Sequence, residues 1–254
     1  MKKFIIIVGI FILIQNSLVA QLWKARRYEA TASIGTTQFY GDIGGYTSGK
    51  NVLGLKDFSF HNTALNFTVS ARYRVLEKFS ARVNLVAGFF HSSDATGSND
   101  TRGFNSTTSF FEPSLLGEYY FIKNRGENSF LFLKGDQSGF QSILASLDVY
   151  AYTGIGGLTY RVSPNDVLAP RATDLNGFTA VFPVGVGVRM IYSANFSFGL
   201  ELGARFTNKD NIDGYTSQYS KANDKYHFLN LTFTYRIKTG PNGGPMLRKD
   251  RQIL

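Results

Sequence analysis

His91-Ser92-Ser93-Asp94 sets a hydroxyl, an imidazole and a carboxylate within four residues. A serine beside a histidine, with a carboxylate to orient the ring, is the arrangement that transfers acyl groups. In that reading His91 is the base, Ser93 the nucleophile, and Glu112 or Glu118 the third member. The plainer reading makes His91 a ring at a membrane boundary and the serines loop residues. Both glutamates fall on the polar face of their strand, phased towards an interior and away from the apolar face, which favours the plainer one. We therefore expect no catalytic residue. His61 and His227 have no acid or thiol neighbours at ligand spacing, so no metal site is expected. Gly41-Asp42-Ile43-Gly44-Gly45 is a turn and not a phosphate cradle, because no helix follows it. Cysteine is absent, which removes disulfides, thiolate metal sites and thiol nucleophiles. No cofactor and no small-molecule substrate is expected.

The elements that would carry these residues alternate polar and apolar side chains. In Tyr226 to Ile237, Leu229, Leu231, Phe233, Tyr235 and Ile237 share one face, and Asn230, Thr232, Thr234 and Arg236 share the other. Period-two alternation of this kind suits a strand with lipid on one side and a polar lumen on the other. Eight such runs are expected: Tyr28–Tyr40, Thr63–Val75, Phe79–His91, Ser106–Ile122, Asp148–Val162, Gly177–Tyr192, Phe196–Asn208 and Lys225–Lys238. Each is at least as long as the ~9–11 residues a tilted membrane strand requires. The fold class is all-β, an eight-stranded antiparallel transmembrane β-barrel. The 26 Gly, 14 Tyr and 23 Phe suit it.

Loop lengths give the orientation. Leu76-Glu77-Lys78 and Ser193-Ala194-Asn195 are tight, whereas 41–62, 92–105, 163–176 and 209–224 are long and polar. The parity of the strands puts the tight turns at one end and the long loops at the other, so both chain ends are expected in the periplasm. The connection 123–147 breaks the pattern, being long and carrying apolar patches at 130–133 and 143–144. It reads either as a hairpin extension or as a docking element.

Residues 1–20 read as a signal peptide, with Lys2 and Lys3 ahead of an apolar run and Leu18-Val19-Ala20 before Gln21. Residues 21–27 form a stub, 28–238 the barrel, and 239–254 a tail whose Gly-Pro-rich start is expected to be flexible until a partner holds it. The net charge of +9 gathers partly at the two ends. Without a nucleic-acid motif it suggests an anionic bilayer surface rather than nucleic acid. Outer-membrane lipids are the expected surroundings.

The inward faces are expected to carry Glu29, Glu112, Glu118 and Glu201 against Arg72, Arg74, Arg82, Arg161, Arg189, Arg205 and Arg236. Charges in so narrow an interior must pair, so a plugged lumen is expected rather than a solute pore. The candidates for binding a partner then lie at the periplasmic end: Phe130, Phe132, Arg248, Lys249 and Arg251.

Ser33-Ile-Gly-Thr-Thr-Gln-Phe-Tyr-Gly-Asp-Ile-Gly-Gly45 resembles the first strand of the small outer-membrane barrel of type IX secretion systems. Ala71-Arg-Tyr-Arg74, Ser93-Asp94 with Arg102, Phe111-Glu112 with Glu118, Tyr119 and Phe121, and Asp148 to Gly157 resemble later segments of it in the same order. The resemblance implies a non-enzymatic component of that machine, associated with its periplasmic ring proteins. His91-x-Ser93 is also similar to the motif of outer-membrane lipid A deacylases, which implies the hydrolase reading above. A surface barrel for adhesion or envelope integrity is a third reading.

Overall fold

The computed structural model describes residues 22–44, 60–96, 99–133, 139–218, 220 and 223–246. The segment read as a signal peptide, and Arg248, Lys249 and Arg251, lie outside the described residues. Eight antiparallel strands close into one barrel in sequence order: β1 Tyr28–Tyr40, β2 Thr63–Leu76, β3 Phe79–Ser93, β4 Asn105–Ile122, β5 Leu147–Pro164, β6 Asn176–Ile191, β7 Phe196–Thr207 and β8 Lys225–Ile237. Closure runs from Tyr28↔Ile237 to Tyr40↔Lys225, so β1 and β8 leave no free edge.

Alternation decides which side chain goes where. Leu65, Phe67 and Val69 on β2, Val184, Val186 and Val188 on β6, and Leu229, Leu231 and Phe233 on β8 are all exposed on the outside. On the outward strand faces the charged side chains are Arg161 and Lys225, both near the end that bears the long loops. An apolar surface of this extent is stable only against hydrocarbon, and closed strands satisfy their backbone groups there without water.

The connection between β4 and β5 is not a bare loop. It holds two short helices, α1 Phe130–Leu133 and α2 Gly139–Ala145, on the end where the chain begins and ends. The tail also departs from expectation. Residues 239–246 form a closed turn bridged at Thr239 and Pro245, with Gly243 at φ +77°. Thr239 N donates to Ala25 O at 2.9 Å and Arg27 N to Thr239 Oγ1 at 3.0 Å, which fastens the turn to a 3₁₀ helix at Leu22–Arg26. Trp23 is buried under the Arg27 guanidinium, 5.2 Å from its ring. Stub and tail are therefore one clasp; backbone hydrogen bonding holds the first part of the tail despite its glycines and prolines.

Gly35 pairs with Asn66 on one side and Asn230 on the other. A Cβ there would lie 2.7 Å from Asn230 Cα, so the β1–β8 seam admits no side chain at this point. Gly35→Val should destabilise the barrel by about 1–3 kcal/mol through overpacking. The check is the urea midpoint of the detergent-refolded protein, read by its heat-dependent gel mobility.

Candidate functional site: a lumen sealed in two layers

Glu29 is the centre of the lower layer, at the end where the chain ends lie. It stands directly across from Arg72 on β2 and Arg236 on β8. Arg72 Nη1 donates to Glu29 Oε2 at 2.8 Å, Arg74 Nη2 to Oε1 at 3.1 Å and Arg189 Nη1 to Oε2 at 2.5 Å. Arg236 Nε lies 3.8 Å from Oε1. Arg72 and Arg82 are neighbours across β2 and β3, a repulsive pair that Glu118 separates by binding both. Arg82 also donates to Glu201 at 2.6 Å, and Tyr150 Oη donates to the same oxygen at 2.5 Å.

Three members of this layer were not read from the sequence. Asp148 accepts from Arg189 at 2.7 Å across the β5–β6 pair, and from Lys123 Nζ at 3.0 Å. Its phase with Tyr150 and Tyr152, both buried, was the available signal. Glu127 comes from the β4–β5 connection. It turns up into the barrel end and binds Arg74, Lys123 and Arg236. Its φ of +51° is unusual for a residue with a side chain, and three cations hold it there. No local pattern marks it, because its position depends on a loop folding back.

The upper layer is apolar. Phe39, Phe90, Phe110, Leu158, Tyr160, Val162, Tyr226 and Phe228 fill the lumen, with the Phe90 and Phe110 rings stacked at 4.2 Å. Glu112 sits among them, accepting from Tyr226 Oη at 2.7 Å and facing Arg205 Nε at 3.7 Å. This layer corrects one sequence expectation. Tyr160 and Val162 point inward, so Arg161 between them points out and is exposed. The rule that apolar faces look outward fails where the interior is itself apolar. The other ten residues of the expected charge list lie buried inside the barrel.

The loops cap this layer. Ile212, from the β7–β8 loop, is fully buried in the aromatic cluster, and Thr108 Oγ1 donates to its carbonyl at 2.9 Å. Asp94 accepts from Gly44 N, Phe104 N and, at two nitrogens, Arg102. His91 faces outward, its Nδ1 3.2 Å from Thr107 Oγ1, while Ser93 Oγ accepts from Ala95 N at 3.3 Å. Glu112 and Glu118 are both committed inside, so the barrel wall separates them from His91, and the three groups of an acyl-transfer site are not brought together. Phe130 stacks on Tyr192 with centroids 6.2 Å apart, and Phe132 is exposed.

Asp213 and Asp224 form a buried acidic pair in the cap. Asp213 accepts from Ile43 N at 3.1 Å and from Tyr215 N at 3.0 Å; Asp224 Oδ2 accepts from Ile212 N at 2.8 Å. Asp213 Oδ2 and Asp224 Oδ1 lie 2.6 and 2.8 Å from the place a Cβ would take on Gly41. Burial pushes Asp213 up to about 7, and burial together with the Asp213 charge raises Asp224 well above the carboxylate range. Among the described residues no three carboxylate or imidazole groups converge as metal ligands would.

Removing Glu29 would take one carboxylate partner from each of four buried arginines. Glu29→Ala should cost about 3–5 kcal/mol, the scale for breaking a buried ion pair, whereas Arg161→Ala should leave the urea midpoint unchanged. The acidic pair gives a pH dependence of defined sign. Carboxyls raised in the closed cap bind protons more tightly there than in an opened loop. The cap therefore loses stability as pH rises from about 4 towards about 7. Hydrogen exchange at the Ile212 and Ile43 amides, corrected for intrinsic rates, should quicken over that range, and Asp224→Asn should flatten the response.

The barrel is similar to several solved structures. Neisserial surface protein A matches at 10% identity with a TM-score of 0.48, over 82% of this chain and 96% of that one. The attachment invasion locus protein Ail of Yersinia pestis, in complex with the heparin analogue sucrose octasulfate, matches at 13% and 0.41, over 83% and 99%. A major outer membrane protein of Thermus thermophilus matches at 15% and 0.41, over 82% and 99%. No curated protein matches the chain. The family model described as "Domain of unknown function (DUF6089)" matches residues 2–241, nearly the whole chain, and the protein belongs to that family.

Proposed function

We propose that the protein is a non-enzymatic outer-membrane barrel that serves as a structural and docking component of a type IX secretion machine. The sealed lumen carries this reading. Charges block one half of the interior and aromatic rings the other, so the barrel has no solute path to offer and must act through its ends. The uncharged outer belt supports placement in a lipid bilayer, and closed β-strands crossing it support the outer membrane. The tight turns then face the periplasm, with both chain ends on that side, and the long loops face outside. A signal peptide at 1–20 delivers the chain across the inner membrane.

The docking surface for periplasmic ring proteins is the clasp of stub and tail. It is a fixed structure, fastened by Thr239 to Ala25 and by Tyr28 Oη donating to Gly243 O at 2.9 Å. Lys24 and Arg26 in the stub, and Lys238 at the end of β8, place positive charge around it. Arg248, Lys249 and Arg251 continue that charge in the sequence beyond the clasp. The order of segments that resemble the type IX barrel supports the machine to which it belongs.

Removing residues 239–254 while keeping β8 intact should leave membrane insertion unchanged, abolish recovery of periplasmic partners with the tagged protein, and reduce type IX secretion. Unchanged recovery and secretion would remove the docking role and favour adhesion through the outer loops.

A further inference from the structure

The β4–β5 connection carries a second unexplained surface. α1 and α2 leave Leu131, Phe132, Phe140, Ile143 and Leu144 exposed, by 50, 74, 71, 38 and 53%. Neither helix contains a charged residue. Their opposite sides are packed: Leu133 and Ser142 are buried.

The position of this surface says what covers it. Leu131 N donates to Tyr192 O at 3.1 Å, and the Phe130 ring stacks on Tyr192. Tyr192 in turn packs edge-on against Phe198 at 5.5 Å, and Phe198 against Phe233 at 5.7 Å. Phe198 and Phe233 are outward residues of β7 and β8 and belong to the lipid-facing belt. A continuous row of rings therefore leads from the belt on to α1. α1 thus lies against the outer side of the barrel wall, where the belt ends. α2 runs into β5 through Ser146, whose carbonyl accepts from Ile191 N at 3.0 Å, so its attachment to the wall is also fixed.

We propose that α1 and α2 form an interfacial anchor, lying in the headgroup region of the bilayer leaflet at the end of the barrel that bears the chain ends. The occupant of their apolar side is lipid. An apolar helical face continuous with a membrane belt buries itself about 5–10 Å into the headgroup and acyl boundary. The anchor also holds the connection that supplies Glu127 to the lower plug, so lipid contact and closure of the lumen share one segment. This assignment does not depend on the docking role of the clasp.

The chain has a single tryptophan and no cysteine, which makes the test direct. Phe132→Trp and Phe140→Trp, each with Trp23→Phe, are placed in phosphatidylcholine vesicles. Lipids brominated near the headgroup end of the chain should reduce the emission roughly twofold or more, as expected at about 5–10 Å depth, while aqueous iodide should have little effect. Emission that iodide quenches and brominated lipid does not would overturn the proposal. Because Trp23 is itself buried, a second measurement keeps the natural tryptophan. Phe140→Cys in vesicles should react with a charged maleimide at least about tenfold more slowly than Asn242→Cys in the exposed clasp, the slowing that lipid coverage of an interfacial helix predicts. Equal reaction rates would overturn it as well.

Discussion

One buried carboxylate organises the molecule. Glu29 faces four guanidinium groups, from Arg72, Arg74, Arg189 and Arg236, contributed by β2, β6 and β8. Ions this deeply buried carry a desolvation cost that only close, multiple partners offset. Each arginine therefore binds a second acid: Glu118 for Arg72, Glu127 for both Arg74 and Arg236, Asp148 for Arg189. Through Glu118 and Arg82 the need passes on to Glu201, until every strand of the wall and the β4–β5 connection contribute to one network. Such a network adds specificity more than stability, because a strand out of register by one residue would turn its charge into lipid.

The interior changes character along the barrel axis. At the other end the lumen holds stacked aromatic rings, topped by Ile212 and closed by loops that meet through Asp94 and the Asp213–Asp224 pair. The two layers exclude water in different ways. The charged layer fills space with fixed partners; the aromatic layer fills it with rings packed around one buried Glu112–Arg205 pair. Together they turn a fold often associated with passage into a solid post. What remains exposed is an apolar belt, a loop end and a terminal end, and any role must be performed by those.

Much of this was legible in the sequence because a membrane barrel writes its geometry in period two. The eight strands agree with the expected ones to within a residue or two at most ends, since alternation ends where the loops begin. Ten residues of the charge network were legible from phase alone. Arg161 was misplaced because its neighbours Tyr160 and Val162 are apolar and yet inward, a consequence of the aromatic layer that one strand read by itself does not reveal. Glu127 and Lys123 were missed because they reach the lumen from a connection, where no periodicity applies. The tail looked free because Gly-Pro-rich sequence cannot form a strand; its hydrogen bonds to Ala25 and Lys238 are made by a turn instead.

Ion flow distinguishes a closed lumen from an open one. Purified, refolded protein in a planar bilayer should show no steady conductance above that of the lipid alone, at either sign of applied voltage. Simultaneous loss of Glu29 and Glu127 should break the charged layer and still leave the aromatic layer blocking the path, so that double variant should remain silent too. A steady, voltage-independent current through the unaltered protein would mean that the lumen is open.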